Sequence, residues 1–185
     1  MAILLLAGHS PDRSKGNYDP GAVANGYTEA ELTRELRDLI SAELTPRKVR
    51  HSIDHDTDSL SQVLAKINSN ESDVILDLHF NAASNPSATG VEVIVPERHT
   101  ELEWKSAEAC SKSLATIMGI RSRGAKDETK TARKRLAVMR ENGTNLLVEV
   151  CFITNVNDMN AYQSKKKEVA KYLADLVMWV ETQVS

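Results

Sequence analysis

The chain has 185 residues, of which 41% are hydrophobic and 26% charged, and its formal net charge is −3. This length predicts one domain, 1–185, that buries about 70% of the surface which its unfolded form would expose. The charge balance excludes the broad positive field of nucleic-acid-binding proteins, and no apolar run approaches the ~20 residues that cross a bilayer. We therefore predict neither nucleic-acid binding nor membrane insertion.

The chain opens with a short apolar run that Gly8 and His9 follow. The run has no basic flank and is too short for a secretory signal, so it predicts a buried strand and no signal peptide. Parallel strands in α/β folds place their functional side chains just beyond their carboxyl ends. His9 lies at that position and is a candidate functional residue, with a histidine in a turn as the alternative.

Strand-like and helix-like patterns alternate along the rest of the chain. Helical stripes are predicted over 29–44, which Pro46 ends, and over 60–67, 104–119 and 169–180. Strands are predicted at 49–53, 74–80, 90–96, 136–139 and 146–152, and the segment 121–135 reads as polar and irregular. The alternation predicts an α/β fold, a mostly parallel twisted sheet of about six strands flanked by helices on both faces.

The two cysteines, Cys110 and Cys151, are far apart in the sequence and do not have the C-x-x-C spacing of a metal or redox site. Two cysteines also make no disulfide framework, so we predict small buried thiols in a reducing compartment.

Polar residues interrupt the predicted scaffold at three further places. His79 ends a strand as His9 does, Glu29 opens the first helix, and Glu149 lies within the apolar run NLLVEVCF. A carboxylate in such a run is costly unless it is paired, protonated or close to a metal. Alone, each has a structural explanation, as a bonded core histidine, a capping glutamate or a half-exposed strand residue. Together, two histidines and a carboxylate match a catalytic zinc site, with a further carboxylate as general base.

Eight segments carry a resemblance to a known family: GHS (8–10), DPGA (19–22), GYTEAELT (26–33), LHFNA (78–82), GVEV (90–93), RGAK (123–126), LAVMR (136–140) and VEVCFITN (148–155). In this order they resemble the zinc-dependent N-acetylmuramoyl-L-alanine amidases. The resemblance implies that His9, Glu29 and His79 bind one zinc ion per chain and that Glu149 is the catalytic carboxylate. It also implies peptidoglycan as substrate, cut at the amide between the lactyl group of muramic acid and the L-alanine of the stem peptide.

Two features depart from the family pattern. Asp19 follows His9 by ten residues, so that the intervening loop is longer than usual, and Glu31 competes with Glu29 as the ligand. We favour Glu29 because the resemblance aligns it with the family's glutamate and because it precedes the apolar stripe. A bare catalytic domain further resembles a bacteriophage endolysin. This implies a monomer that waits in the host cytoplasm until a pore-forming phage protein, a holin, admits it to the wall.

Other residues are weaker candidates. His51 and His55 have the spacing of a helical metal pair but lie in a strand pattern, which argues against a second metal site. Gly8-His9-Ser10 resembles the start of a G-x-S-x-G nucleophile elbow, but Asp12 stands where this motif needs glycine, which argues against a serine hydrolase. Substrate contacts are predicted for Asn81, Arg123, Lys126 and Arg140, with turn or solvated-loop roles as the alternative. Two other functions stay open, an α/β zinc metallopeptidase acting on other peptides and a non-catalytic wall-binding module.

Overall fold

The computed structural model describes residues 2–10 and 18–184. Its strands and α-helices, in chain order, are β1 (Ile3–Ala7), β2 (Val23–Ala24), β3 (Tyr27–Thr28), α1 (Glu29–Leu44), β4 (His51–Ile53), α2 (Leu60–Lys66), β5 (Val74–Asn81), β6 (Val91–Val95), α3 (Glu101–Met118), β7 (Ser122–Asp127), β8 (Thr144–Phe152) and α4 (Val156–Gln183). Short 3-10 helices span Thr45–Arg47, Glu128–Lys130 and Ala137–Arg140.

Six of the strands form one sheet in the order β4-β1-β5-β8-β6-β7. Within the sheet only the β6–β8 pair is antiparallel, and the other four pairs are parallel. Strands β2 and β3 form a separate antiparallel hairpin just before α1. The prediction of a mostly parallel six-stranded sheet is confirmed.

The three long helices, α1, α3 and α4, pack on one face of the sheet and enclose the larger core. Successive residues of a strand point to opposite faces, so every second residue of β5 enters this core: Val74, Leu76, Leu78 and Phe80. Thr28 caps the amino end of α1 by accepting a hydrogen bond from the backbone N–H of Glu31. The cap starts the helix at Glu29 and so fixes where this carboxylate stands.

The opposite face carries a thinner layer. Its smaller core contains Leu6, Ile75, Ile94 and Leu147 of the sheet, covered by Val138 and Met139 of the 3-10 helix Ala137–Arg140 and by Val63 and Leu64 of α2. Helical segments therefore flank both faces, as predicted, although unequally. At the carboxyl ends of β1 and β5 this thin layer leaves an open cavity.

The structure corrects three details of the predicted elements. Residues 122–127 form the edge strand β7, although this segment was predicted to be irregular. All six residues are only partly buried, so the strand has no apolar pattern in its sequence. The apolar run 136–139 was predicted as a strand, but residues 137–140 form a 3-10 helix. A run of four apolar residues is too short for its sequence to distinguish a strand from a helix. Helix α4 begins at Val156, well before the predicted stripe, because Asn155 caps it.

Strand register aligns polar residues across the middle of the sheet. His79 of β5 lies beside Glu149 of β8, and Glu149 lies beside Glu92 of β6. Both cysteines are buried and free, as predicted. Within the described ranges, no helix is long and apolar enough to span a membrane. The long loop that follows His9, including Asp12, falls on residues 11–17 and lies outside the described residues, although a bridge between Ser10 and Asp19 closes its base.

Candidate active site

Three of the predicted residues meet at the carboxyl ends of β1 and β5. The Glu29 carboxylate lies between two histidines, with His9 Nε2 at 3.1 Å from its Oε2 and His79 Nδ1 at 2.9 Å from its Oε1. The backbone N–H groups of Ala22 and Phe80 also donate to this carboxylate, at 3.0 Å and 3.1 Å. Glu29 is thus fixed by four donors, and one ring nitrogen of each histidine points at it.

The second ring nitrogen of each histidine faces another carboxylate. His9 Nδ1 lies 2.9 Å from Asp19 Oδ2, and His79 Nε2 lies 3.4 Å from Asp77 Oδ2. Such outer carboxylates fix the orientation of histidines that bind metals. Asp19 and Asp77 were not among the predicted site residues. The signal for Asp77 is its place two residues before His79, which puts both side chains on one face of β5.

The charges of this cluster stabilise one another. Burial opposes protonation of His79, but Asp77 and Glu29 outweigh it, and the pKa of His79 lies well above its ordinary value. Burial acts against His9 as well, yet Glu29 and Asp19 raise its pKa. Burial would raise the pKa of Glu29, but His79 and His9 hold it below its ordinary value. The neighbouring carboxylates thus favour the protonated form of both histidines, and a metal ion that binds the same ring nitrogens competes with protons.

Two glycines leave room for the rings. A Cβ atom on Gly8 would lie 2.4 Å from Cε1 of His79, and one on Gly21 would lie 2.6 Å from Oε2 of Glu29. Gly21 also has a φ of 63°, which suits glycine. His9 itself has a φ of 70°, a left-handed conformation that is uncommon for a residue with a side chain and is often found at functional sites.

The donor set fits a zinc ion. His9, Glu29 and His79 each offer one ligand atom, and these atoms lie within 4.8 Å of one another. Two histidine nitrogens and one carboxylate oxygen form the protein ligand set of several catalytic zinc sites, in which a fourth position stays open. In the described part of the chain this is the one such group, so the alternative pair His51 and His55 forms no comparable cluster.

Glu31, the rival of Glu29, has a different role. Its side chain is exposed and accepts a hydrogen bond of 2.8 Å from the Thr28 hydroxyl in the first turn of α1. His51 is likewise held by local partners, since its Nε2 lies 2.8 Å from the Ser41 hydroxyl and its Nδ1 lies 2.9 Å from the Val49 carbonyl. Neither side chain faces the cluster around Glu29.

Glu149 lies next to this cluster and has unusual surroundings. Its Oε2 atom is buried and has no hydrogen-bond partner among the described residues. Burial raises the pKa of Glu149 to about 7; His79 opposes this shift, while Glu29, Glu92 and Asp77 add to it. A carboxyl group that is partly ionised at neutral pH can both accept and donate a proton, as a general acid–base catalyst must.

Three of the four predicted substrate contacts instead form hydrogen bonds with one carboxylate of the protein, Glu92, which was not predicted as a site residue. Glu92 accepts hydrogen bonds from Asn81 at 3.0 Å and from Lys126 at 2.6 Å, and also from Arg123. Asn81 lines the cavity beside Glu149, whereas Arg123 and Lys126 are not among its lining residues. Glu92 was detectable in principle, because it is a charged residue inside the buried strand β6.

Arg140, the fourth predicted contact, lies elsewhere. Its guanidinium pairs with Glu128, a fully buried carboxylate that also accepts from the backbone N–H of Leu136 at 2.7 Å. Arg140 is not among the residues that line the cavity. Its contacts in the structure serve to fix the segment 128–140.

The cavity has a volume of about 700 Å³. Its floor includes His9, Glu29, His79 and Glu149, and Leu60 and Val63 of α2 line it from one side. A cavity of this size can hold a drug-sized ligand over the polar cluster.

Two histidines and a glutamate that can bind one metal ion, with a second buried glutamate beside them, are typical of zinc hydrolases. Comparison with known families agrees, since the model of the N-acetylmuramoyl-L-alanine amidase family matches residues 3–177. The chain belongs to this family.

Individual relatives are more distant. The amidase LytC of Bacillus subtilis (strain 168) is 26% identical over 151 residues, which are 80% of this chain but 29% of LytC. The amidase AmiC2 of Nostoc punctiforme superposes with a TM-score of 0.74 at 20% identity, covering 96% of this chain and 95% of AmiC2. The catalytic domain of the CD27L endolysin targeting Clostridia difficile gives 0.73 at 20% identity, covering 96% and 97%. Both structures share the fold.

Proposed function

We propose that this chain is a zinc-dependent N-acetylmuramoyl-L-alanine amidase that hydrolyses the amide between the lactyl group of muramic acid and the L-alanine of the stem peptide. One observation carries the proposal. Glu29 joins His9 and His79 in a set of ligand atoms that lie within 4.8 Å of one another, and the unpartnered Oε2 of Glu149 lies buried in the same cavity. Family membership supplies the bond and the substrate.

Each residue then has a defined task. Zinc, when bound, polarises the scissile carbonyl and makes water acidic enough to react near neutral pH. His9 and His79 present one nitrogen each to the ion, while Asp19 and Asp77 hold their rings in place. Oε2 of Glu149 accepts the proton of the attacking water and passes it to the departing amine of L-alanine. In the metal-free cluster, burial raises the pKa of Glu149 to about 7.

The test uses the purified chain and purified peptidoglycan. We expect bound zinc and, by mass spectrometry, released stem peptides with a free L-alanine amino group. Chelation should stop the release, and added zinc should restore it. Turnover of plain peptides without muramic acid would favour the alternative of a general metallopeptidase, and wall binding without any release would favour a binding module.

The biological setting is a further part of the proposal. We place the chain in a phage-encoded lysis system, as a monomer that stays in the host cytoplasm until a holin opens the membrane. The fold that it shares with an endolysin catalytic domain supports this setting.

A further inference from the structure

Three cations line the cavity: Lys130, Arg133 and Arg135. We call them the basic wall. All three side chains belong to exposed residues of the segment between β7 and the 3-10 helix Ala137–Arg140. The same cavity is also lined by acidic residues, among them Glu29, Asp77 and Glu149. The lining of the cavity therefore combines exposed cations with carboxylates.

The two arginines of the basic wall differ from the other cations close to the site, because within the described residues they have no carboxylate partner. Lys130 interacts electrostatically with Asp127. Within the described residues, neither Lys130 nor Arg133 nor Arg135 makes an ion pair, whereas Arg123 and Lys126 share Glu92 and Arg140 holds Glu128. The cations predicted as substrate contacts are thus already neutralised by the protein. Within the described residues, Arg133 and Arg135 of the basic wall thus remain available to pair with a charged ligand.

The basic wall is also held in place. The buried Glu128 carboxylate accepts hydrogen bonds from the backbone N–H of Glu97 at 3.3 Å and of Leu136 at 2.7 Å. The carbonyl of Glu128 accepts from the Thr131 hydroxyl at 2.7 Å, and Thr131 in turn accepts from the backbone N–H of Lys134. These hydrogen bonds hold together the backbone of the segment that carries the three cations, and the one from Glu97 links it to the chain that follows β6.

The positions of charge in the proposed substrate indicate which of its groups the basic wall can bind. The carboxyl group of muramic acid is consumed in the scissile amide, so the sugar side of the bond carries no charge. Negative charge is found on the peptide side, where stem residues beyond L-alanine carry free carboxylates. Arginine binds carboxylates with two parallel hydrogen bonds, and two of the three cations are arginines.

We propose that the basic wall binds a free carboxylate of the stem peptide next to L-alanine, and so makes the enzyme select stem peptides whose second residue is an acid over those in which it is a carboxamide. This inference rests on the proposed amidase function.

The experiment compares two synthetic muramoyl peptides that differ only in a carboxylate or a carboxamide at the second residue. We expect the wild-type chain to prefer the acid by about tenfold in kcat/KM, mainly through KM, since a charged hydrogen bond is lost in the amide. Arg133→Gln with Arg135→Gln should abolish the preference, so that the ratio of kcat/KM for the acid to kcat/KM for the carboxamide falls to about one. The control is Lys134→Gln, which removes a cation of the same segment that does not line the cavity and should keep the preference.

Calorimetric binding of the two released peptides separates this inference from the proposed function. Equal affinity for the acid and the amide peptide contradicts the proposed role of the basic wall, and so does a preference that survives in the double variant. Either result holds whether or not the chain is an amidase. If the acid peptide binds more tightly and the double variant loses this difference, the role of the basic wall is supported, and absence of hydrolysis would then contradict only the amidase function. Thermal melting of both variants checks that they remain folded.

Discussion

At the scale of single residues, the site depends on Glu29 being both a candidate ligand and the partner of two histidines. The sequence offered Glu29 and Glu31, two residues apart, and the geometry separates them. Glu29 contacts His9 and His79, whereas Glu31 is exposed and bonds to Thr28. The difference arises because the cap at Thr28 sets the start of α1, and of the two glutamates in its first turn only Glu29 is buried.

The first prediction concerns these two glutamates. Glu29→Gln should reduce bound zinc to background, because an amide oxygen is a poor substitute for an ionised ligand and leaves the histidine charges uncompensated. Glu31→Gln is the matched control and should bind zinc as the wild type does. Metal analysis of both dialysed proteins gives the result, and the reverse pattern would make Glu31 the ligand.

The second prediction concerns the space beside His79. Gly8→Ala places a methyl group 2.4 Å from Cε1 of His79. The His79 ring cannot easily move away, because both of its nitrogens face carboxylates. We expect a loss of about 1–3 kcal/mol in unfolding free energy, as for other overpacked sites, together with weakened zinc binding. Gly119→Ala, at a φ of 68° with open space around it, is the control. It should lose stability and keep its zinc, and equal zinc affinity in both variants would argue against the steric role of Gly8.

At the scale of elements, three neighbouring strands carry the chemistry. β5, β8 and β6 supply His79, Glu149 and Glu92 at adjacent register positions. Glu92 is a buried carboxylate whose charge is compensated by Arg123 and Lys126 of the edge strand β7. The edge strand is therefore tied to the site by charge as well as by its backbone hydrogen bonds.

The third prediction follows from the pKa of Glu92. Burial raises this pKa, but Arg123 and Lys126 outweigh burial and hold it below the ordinary value of 4.5. A lowered carboxyl pKa stabilises the fold above the unfolded value and loses that effect as pH falls through the folded value. Glu92→Gln should therefore cost about 1–2 kcal/mol near pH 7. The cost should shrink below about pH 4.

Urea unfolding of both proteins across this pH range measures the effect. Glu101→Gln removes one partner of an exposed pair with Lys105 and should show little change at any pH. A cost for Glu92→Gln that stays constant or grows toward low pH would contradict the assignment of charge at Glu92.

The elements also show what sequence reasoning can reach. Buried strands with polar residues at their ends were predictable, because apolar runs mark strands and parallel strands share a functional edge. His9 and His79 were found in this way, whereas Glu29 was noted at the start of a predicted helix and Glu149 as a carboxylate inside an apolar run, and the family resemblance supported all four. Strand β7 was missed because its polar sequence has no apolar alternation. The pairing of Arg123 and Lys126 with Glu92 was missed because it depends on strands that are distant in sequence.

At the scale of the whole molecule, the two faces of the sheet have separate roles. The three long helices bury the larger core on one face, and the cavity opens on the face that only short helical segments cover. Changes at the site therefore leave the larger core intact. This separation lets variants of the site be folded proteins whose zinc content and turnover can be measured.

The fourth prediction tests the proposed biological setting. Peptidoglycan lies outside the cytoplasmic membrane, so an endolysin held in the cytoplasm has no access to it. We expect cells that express this chain alone to stay intact and to contain active enzyme, and we expect rapid lysis when a holin is expressed with it. Lysis by the unmodified chain without a pore-forming partner would refute the setting while leaving the amidase chemistry untouched.

The most direct test of the central claim is turnover in Glu149→Gln, measured together with zinc content on one preparation. Glutamine keeps the size of the side chain but cannot take up the proton. The rate of stem-peptide release should therefore fall by about 10²- to 10⁴-fold while zinc stays bound. His79→Ala, which removes a ligand, should lose both zinc and release. Near-normal release of stem peptides by Glu149→Gln would contradict the account, and loss of its zinc would make Glu149 a ligand instead.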